Sequence, residues 1–408
     1  MARRGLLHLH HTDANHRVTS LELFFDLVFV LALTQVTTYL AAHLTAEGAV
    51  RGLLVLAVMW WSWGGFTWLT NYVRADHGAV RPILVVVMAA ALVMTLAIPE
   101  VFDDGDGEPP SGPLVFAGAY VVLRLMHLTL FALAGREDPQ LLGTLARFSI
   151  PSVIGTGFLV VAAFSDGRWQ TLWWLLAVVG DLGGTLIVNA GGWRLPAPGH
   201  FAERHGLVVI LALGESLVAV GVGTEGLSLS WAAMLAAVLA LSLVACLWWI
   251  YFDVVAGVAE RRLASLEGAA RAALGRDSYS YLHFPMVAGI IFVALGLKKT
   301  LGAVADSEHY GPSEPLHGLP LIGLYGGVAL YLLAHVAFRW RNLGSTNWRR
   351  LGVAAVLLAA IPLVSHLPAL VQLGLVVVAL MALCSYESLR FRTWRHELQH
   401  AERHEAHA

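Results

Sequence analysis

Residues 17–42 read RVTSLELFFDLVFVLALTQVTTYLAA, and this stretch decides the fold. It is apolar over the ~20 residues that a bilayer-crossing helix needs, yet it carries Glu22, Asp26 and Gln35. Glu22 and Asp26 stand four residues apart, so on a helix they share one face. A carboxylate inside a membrane helix is costly enough to require a reason. The stretch also has an echo. LVFVLAL at 27–33 returns as LVVILAL at 207–213, which sets Gln35 against Glu215.

The rest of the chain has the same character. Of 408 residues, 57% are hydrophobic and 13% charged, with a mean hydropathy of +0.68. Twelve stretches are long and apolar enough to cross a bilayer: 20–42, 49–73, 80–100, 113–134, 147–165, 170–191, 204–223, 230–257, 279–301, 317–340, 348–367 and 369–389. A lipid-exposed backbone must satisfy its own hydrogen bonds, so these read as helices of an all-α, polytopic membrane bundle. Of the 26 Lys and Arg, 21 fall in the N-terminus, the even-numbered loops and the C-terminal tail. Four (Arg51, Arg168, Lys298, Lys299) fall in the odd-numbered loops, and Arg124 alone lies within a span. That asymmetry predicts both termini in the cytoplasm of a bacterial inner membrane, and the acidic run DDGDGE at 103–108 outside. The first apolar run is too long for a signal-peptide core and follows a polar head, so no cleavage is expected.

Four regions follow: a polar tail over 1–19, six-helix units over 20–191 and 192–389, and a His-rich tail over 390–408. The units look related. Trp60 and Trp61 correspond to Trp248 and Trp249, Pro82 to Pro285, and His127 to His335, at offsets that rise steadily from 180 to 208. An even number of spans per unit makes the repeat parallel rather than inverted. The alanine-rich segment 258–278 reads as a helix lying along the cytoplasmic surface. His396, His400 and His404 would form a stripe on a helix, but they read as a solvated tail, and no metal or other cofactor is expected.

Ionisable residues sort by depth. Glu22, Asp26, His200, Glu203, Arg204, Asp253, Tyr281 and His283 lie toward the cytoplasmic side. Long side chains near an interface can reach water, so Glu22 reads as an interface residue, whereas Asp26 and Asp253 are too short to escape. Deeper lie Gln35, Arg124, His127, Asp181 and Glu215. A mid-membrane arginine needs an acid, and Asp181 and Glu215 are at matching depth; Glu215 with Arg124 is the expected polar centre. Such groups either fix helix register as a buried pair or line a polar path. Gly180 and Gly184 around Asp181 point to close helix packing, and Pro285 and Pro362 to kinks.

Three segments, LELFFDLVFVLALTQV, HFAERHGLVVILALGESLVAVG and YSYLHFPMVAGIIFVALGLKK, resemble the bacterial low temperature requirement A (LtrA) family over essentially the whole chain. The resemblance implies a multi-pass inner-membrane protein associated by name with growth in the cold. FFDLVFVLALT is also similar to the first helix of a potassium-channel family with two six-helix units. Phe25 and Gly206 depart from that pattern, and only the topology carries over.

Function then divides into a transporter or channel for a small ion or solute and a non-transporting sensor or scaffold. The first would be lined by Asp26, Gln35, Arg124, Asp181 and Glu215. The second would present 200–204 and 258–278 to a partner. An enzyme is not expected: HExxH, paired cysteines and a Gly-rich phosphate loop are all missing. Cys246 and Cys384 have no metal or disulfide spacing. Nucleic acid is not an expected partner, because the basic residues track topology; the partner is the lipid bilayer. Oligomeric state is not written in the sequence.

Overall fold

In the computed structural model the described residues are 11–390, apart from 15, 79, 103–109, 189, 224–229 and 306–313. The acidic run at 103–108 and the histidines of the C-terminal tail lie outside them. Among the described residues there are fourteen α-helices and one isolated bridge between His11 and Val73. The helices are α1 (Ser20–Ala42), α2 (Ala46–Tyr72), α3 (Val80–Leu96), α4 (Gly112–Ala134), α5 (Pro139–Ala162), α6 (Gly167–Ile187), α7 (Pro198–Gly223), α8 (Trp231–Phe252), α9 (Val255–Ala264), α10 (Gly268–Leu274), α11 (His283–Ala305), α12 (Gly318–Leu343), α13 (Trp348–Val364) and α14 (Ala369–Arg390). Each of the twelve expected stretches overlaps one of them.

Among the described residues ten helical spans are long and apolar enough to cross a membrane. α3 and α13 have 17 residues each, ~25 Å at 1.5 Å per residue, short of a ~30 Å hydrocarbon core. The outward faces of α5 and α6 present Ile150, Val153, Ile154, Leu175 and Val179, a surface suited to lipid rather than water.

Local signals explain the helix ends. Thr19 and Glu22 form a capping box: Glu22 N donates to Thr19 Oγ1 at 3.3 Å and Thr19 N donates to Glu22 Oε2 at 3.0 Å. α5 opens on Asp138 followed by Pro139, and α13 on Asn347. α7 begins at Pro198, six residues before the expected 204, because a proline fits the first turn, where its missing N–H is not needed. Pro285 likewise sits in the first turn of α11, preceded by a π-helical stretch, Gly275–Tyr281. The segment 258–278 is two short helices rather than one, and α9 buries Val255, Ala259 and Leu263 on a single stripe.

The packing has a recurring pattern. α1 packs on α2 and α3, α3 on α4, α4 on α5, α5 on α6, and α2 on α6. Correspondingly α7 packs on α8 and α11, α11 on α12, α12 on α13, α13 on α14, and α8 on α14. Glycines set the tightest approaches. A Cβ on Gly184 would collide with the Pro151 ring, so the GxxxG of α6 does serve close packing against α5. Between α11 and α12, a Cβ on Gly289 would lie 2.7 Å from Gly327 O, and one on Gly327 2.7 Å from Gly289 O. Gly289→Ala and Gly327→Ala are each expected to destabilise the protein by about 1–3 kcal/mol. Unfolding in detergent checks this, and a variant as stable as the parent would contradict so close a contact.

Candidate functional site

Four buried polar networks account for most of the ionisable groups within the bundle. The first lies at the N-terminal end of α1. Arg204 on α7 donates through Nη1 to Glu22 Oε1 at 3.0 Å and to Thr70 Oγ1 at 3.2 Å, and through Nη2 to Asp26 Oδ1 at 2.5 Å. Trp63 Nε1 donates to the same Asp26 oxygen at 2.8 Å. Glu22, Asp26, His200 and Arg204 are all essentially unexposed. Glu22 is therefore a hub of the interior, not the interface residue expected from its length. The capping box holds its side chain back against its own helix, where Arg204 and His200 cover it.

The state of His200 follows from its neighbours. Ala197 N donates to Asn71 Oδ1 at 3.4 Å, which leaves Asn71 Nδ2 to donate to Ala197 O at 2.6 Å and to His200 Nδ1 at 3.2 Å. With Nδ1 accepting, Nε2–H donates to Glu22 Oε1 at 2.9 Å. His16, in the segment before α1, rests its ring 4.8 Å from that of His200. Burial pushes the His16 pKa down. His16, Glu22 and His200 bring potential metal ligands within 4.8 Å of one another. Both Glu22 oxygens already accept hydrogen bonds, however: Oε1 from His200 and Arg204, Oε2 from Thr19 N and Oγ1. Glu22 and His200 are thus engaged in hydrogen bonds, while His16 Nε2 is buried without a hydrogen-bond partner.

The second network joins α4 to α6. Arg124 pairs with Asp181, Tyr120 OH donates to Asp181 Oδ2 at 2.5 Å, and Arg124 Nη2 donates to Tyr120 OH at 2.6 Å. The expected centre of Arg124 with Glu215 does not form, because the packed face of α6, not α7, is turned toward Arg124. One turn along α4, His127 is buried among Phe66, Phe131 and Phe148 with neither ring nitrogen bonded. It lines a small cavity, about 50 Å³, with Trp60, Trp61, Trp68, Arg124 and Arg276. The Trp-rich patch of α2 is thus internal: Trp60 Nε1 reaches Ser280 O at 2.7 Å and Trp68 Nε1 reaches Ser280 Oγ at 2.9 Å.

The third network was not anticipated. Arg350 on α13 holds Glu387 on α14 with two bonds, Nε to Oε1 at 3.0 Å and Nη2 to Oε2 at 2.6 Å. It also donates through Nη1 to His335 Nδ1 at 2.6 Å on α12 and to Ile250 O at 3.3 Å on α8. Asn347 Nδ2 adds a bond to Glu387 at 2.7 Å. Glu387 near the end of the 369–389 stretch was the available signal.

The fourth is the seam between α1 and α7. Thr34 Oγ1 donates to Glu215 Oε2 at 2.5 Å, one residue from the Gln35 that the echo set opposite it; Gln35 itself is half-buried. Glu22 meets Arg204 and Thr34 meets Glu215, so residue numbers rise together on both helices and α1 and α7 run parallel. Glu22, Asp26, Asp181 and Glu387 each face an arginine within 4 Å. Among the described residues Glu215 has no such partner.

The remaining expected residues are separate. Tyr281 OH bonds to Thr185 Oγ1 at 2.6 Å and to Leu182 O. His283 lies between Ser278 O, 2.9 Å from Nδ1, and Tyr251 OH, 2.7 Å from Nε2. Asp253 caps α8. Glu203 is half-buried on the side of α7 away from α1, its Oε2 without a hydrogen-bond partner. His200 and Arg204 have no exposed surface, so of the face expected over 200–204 and 258–278 these two are interior, while Arg261 and Arg262 of the second part are exposed.

Comparison with known proteins agrees with the motifs. The family described as "Bacterial low temperature requirement A protein (LtrA)" matches over residues 17–385. The chain belongs to the LtrA family. An uncharacterised protein of Rhizobium meliloti is 31% identical over 324 residues, 75% of each chain. No solved structure matches significantly. As an LtrA-family member the chain is a multi-pass membrane protein. The matched stretch takes in the first two networks and the α1–α7 seam, and ends just before Glu387 of the third.

Proposed function

We propose that this LtrA-family protein moves a small ion or solute across the bacterial inner membrane, along the seam between α1 and α7. The observation that carries this reading is Glu215: a carboxylate 2% exposed, met by the Thr34 hydroxyl rather than by an arginine. A carboxyl in that setting can take up and release a proton or a cation without breaking an ion pair. The recurring neighbour pattern and the parallel run of α1 and α7 support twelve spans in two six-helix units. The lysine and arginine asymmetry supports cytoplasmic termini. Under this reading Asp26, Arg124 and Asp181 hold the walls rather than carry the ion.

Purified protein in liposomes, followed with pH- and potassium-sensitive dyes and with an anion reporter, tests it. The parent is expected to give protein-dependent flux, and Glu215→Gln to reduce it to the level of empty liposomes while the protein stays folded. Absence of any proton, alkali-cation or small-anion movement by the parent would sink the reading.

A further inference from the structure

The chain has two cysteines in 408 residues, and the structure brings them together. Cys246 stands on α8 and Cys384 on α14, 138 residues apart, and no spacing in the sequence announces them as a pair. Cys384 Sγ lies 3.8 Å from Cys246 O, and the two sulfurs are within hydrogen-bond reach of each other. A buried residue touches about 6–12 others, so two cysteines placed at random in this chain would meet roughly one time in forty. Coincidence is a poor account of the contact. We propose that Cys246 and Cys384 are a redox pair, oxidised to an intramolecular disulfide by a lipid-soluble quinone.

The packing of α8 on α14 keeps the thiols facing each other. Just beyond Cys384, Glu387 is gripped by Arg350, and Arg350 also donates to Ile250 O, one turn beyond Cys246. The two rungs advance together along both helices, so neither thiol slides past the other without breaking the Arg350 network. Each cysteine stands six residues before the end of its helix, at Phe252 and Arg390. That is ~9 Å at 1.5 Å per residue, which places the pair in hydrocarbon rather than at the water. Cys384 is half-buried, and beside it on α14 Met381 and Tyr386 are 51% and 42% exposed, on a face suited to lipid. This setting selects the oxidant. Glutathione and thioredoxin, which keep cytosolic thiols reduced, are water-borne, whereas a quinone dissolves in the bilayer. Cys384 meets the quinone and Cys246 closes the bond. Both S–H bonds break, one S–S bond forms, and two electrons with two protons convert the quinone to its quinol. The product ties α8 to α14 across a long stretch of chain and opposes their separation.

The pair is independent of the α1–α7 seam, so a failure of the flux measurements leaves it standing. The test places the full chain in phosphatidylglycerol nanodiscs with decylubiquinone, then denatures it and alkylates free thiols with N-ethylmaleimide. Intact mass is expected to show both thiols protected from alkylation, with one quinol formed per chain. Peptide mapping should join the segments carrying Cys246 and Cys384, and dithiothreitol added after denaturation should restore both thiols. Oxidised glutathione at the same concentration should react about tenfold more slowly or less, because its charges keep it out of hydrocarbon. Cys246→Ser and Cys384→Ser should each yield no intramolecular disulfide and no quinol above that of empty nanodiscs. The parent measurements need neither variant, so a serine substitution that fails to fold does not remove the test. Full alkylation of both thiols after quinone treatment would overturn the proposal. So would disulfides formed between chains rather than within one, quinol formation undiminished in either variant, or oxidation by glutathione as fast as by the quinone.

Discussion

Arg204→Ala is expected to lower stability by about 3–5 kcal/mol, because it leaves two buried carboxylates without their counter-charge. Glu22 and Asp26 share this one guanidinium and are each about 1% exposed, so water cannot replace it. Thr70 would also lose its donor. Arg204→Lys should fall in between, since one ammonium cannot reproduce the spread of a fork whose two arms reach different carboxylates. Thermal unfolding in detergent and the yield of monodisperse protein measure this. A variant with the parent's unfolding temperature would show that Glu22 and Asp26 are not held as the geometry indicates.

Arg350→Met should produce a loss of similar size, again about 3–5 kcal/mol, by stranding Glu387 in the α12–α13–α14 contact. The informative comparison is Arg350→Met combined with Glu387→Leu. Replacing a whole buried pair by apolar side chains is often neutral, so the double variant should recover much of what the single one loses. It should not recover everything, because His335 Nδ1 loses its donor and Asn347 Nδ2 its acceptor. A double-mutant cycle in denaturant measures the coupling, expected at about 1–3 kcal/mol. Strictly additive losses would argue that the two residues act independently.

Much of the architecture was legible in one dimension. The stretch 20–42 reads as a helix and is one, and the echo between 27–33 and 207–213 marks two helices that do lie side by side. Depth was legible too, since Arg124 does require an acid. What depth cannot supply is azimuth. Asp181 and Glu215 were equally deep candidates, and the choice fell to the rotation of α6, set by Gly155, Gly180, Gly184 and Pro151 where α5 and α6 touch. A pair such as Arg350 and Glu387 escaped for a related reason. Both stand near helix ends, where a charge is explained by topology alone, and nothing in their spacing announces that α13 and α14 turn them inward.

The α1–α7 seam has two rungs of unequal strength. At one end Arg204 grips two carboxylates, and twelve residues along α1 a single hydroxyl meets Glu215. Such a joint resists sliding, because a shift of one residue would misalign both rungs together. It resists parting unequally. Prised open, it would behave as a hinge with its pin at the Arg204 end, and the first gap would appear beside Glu215.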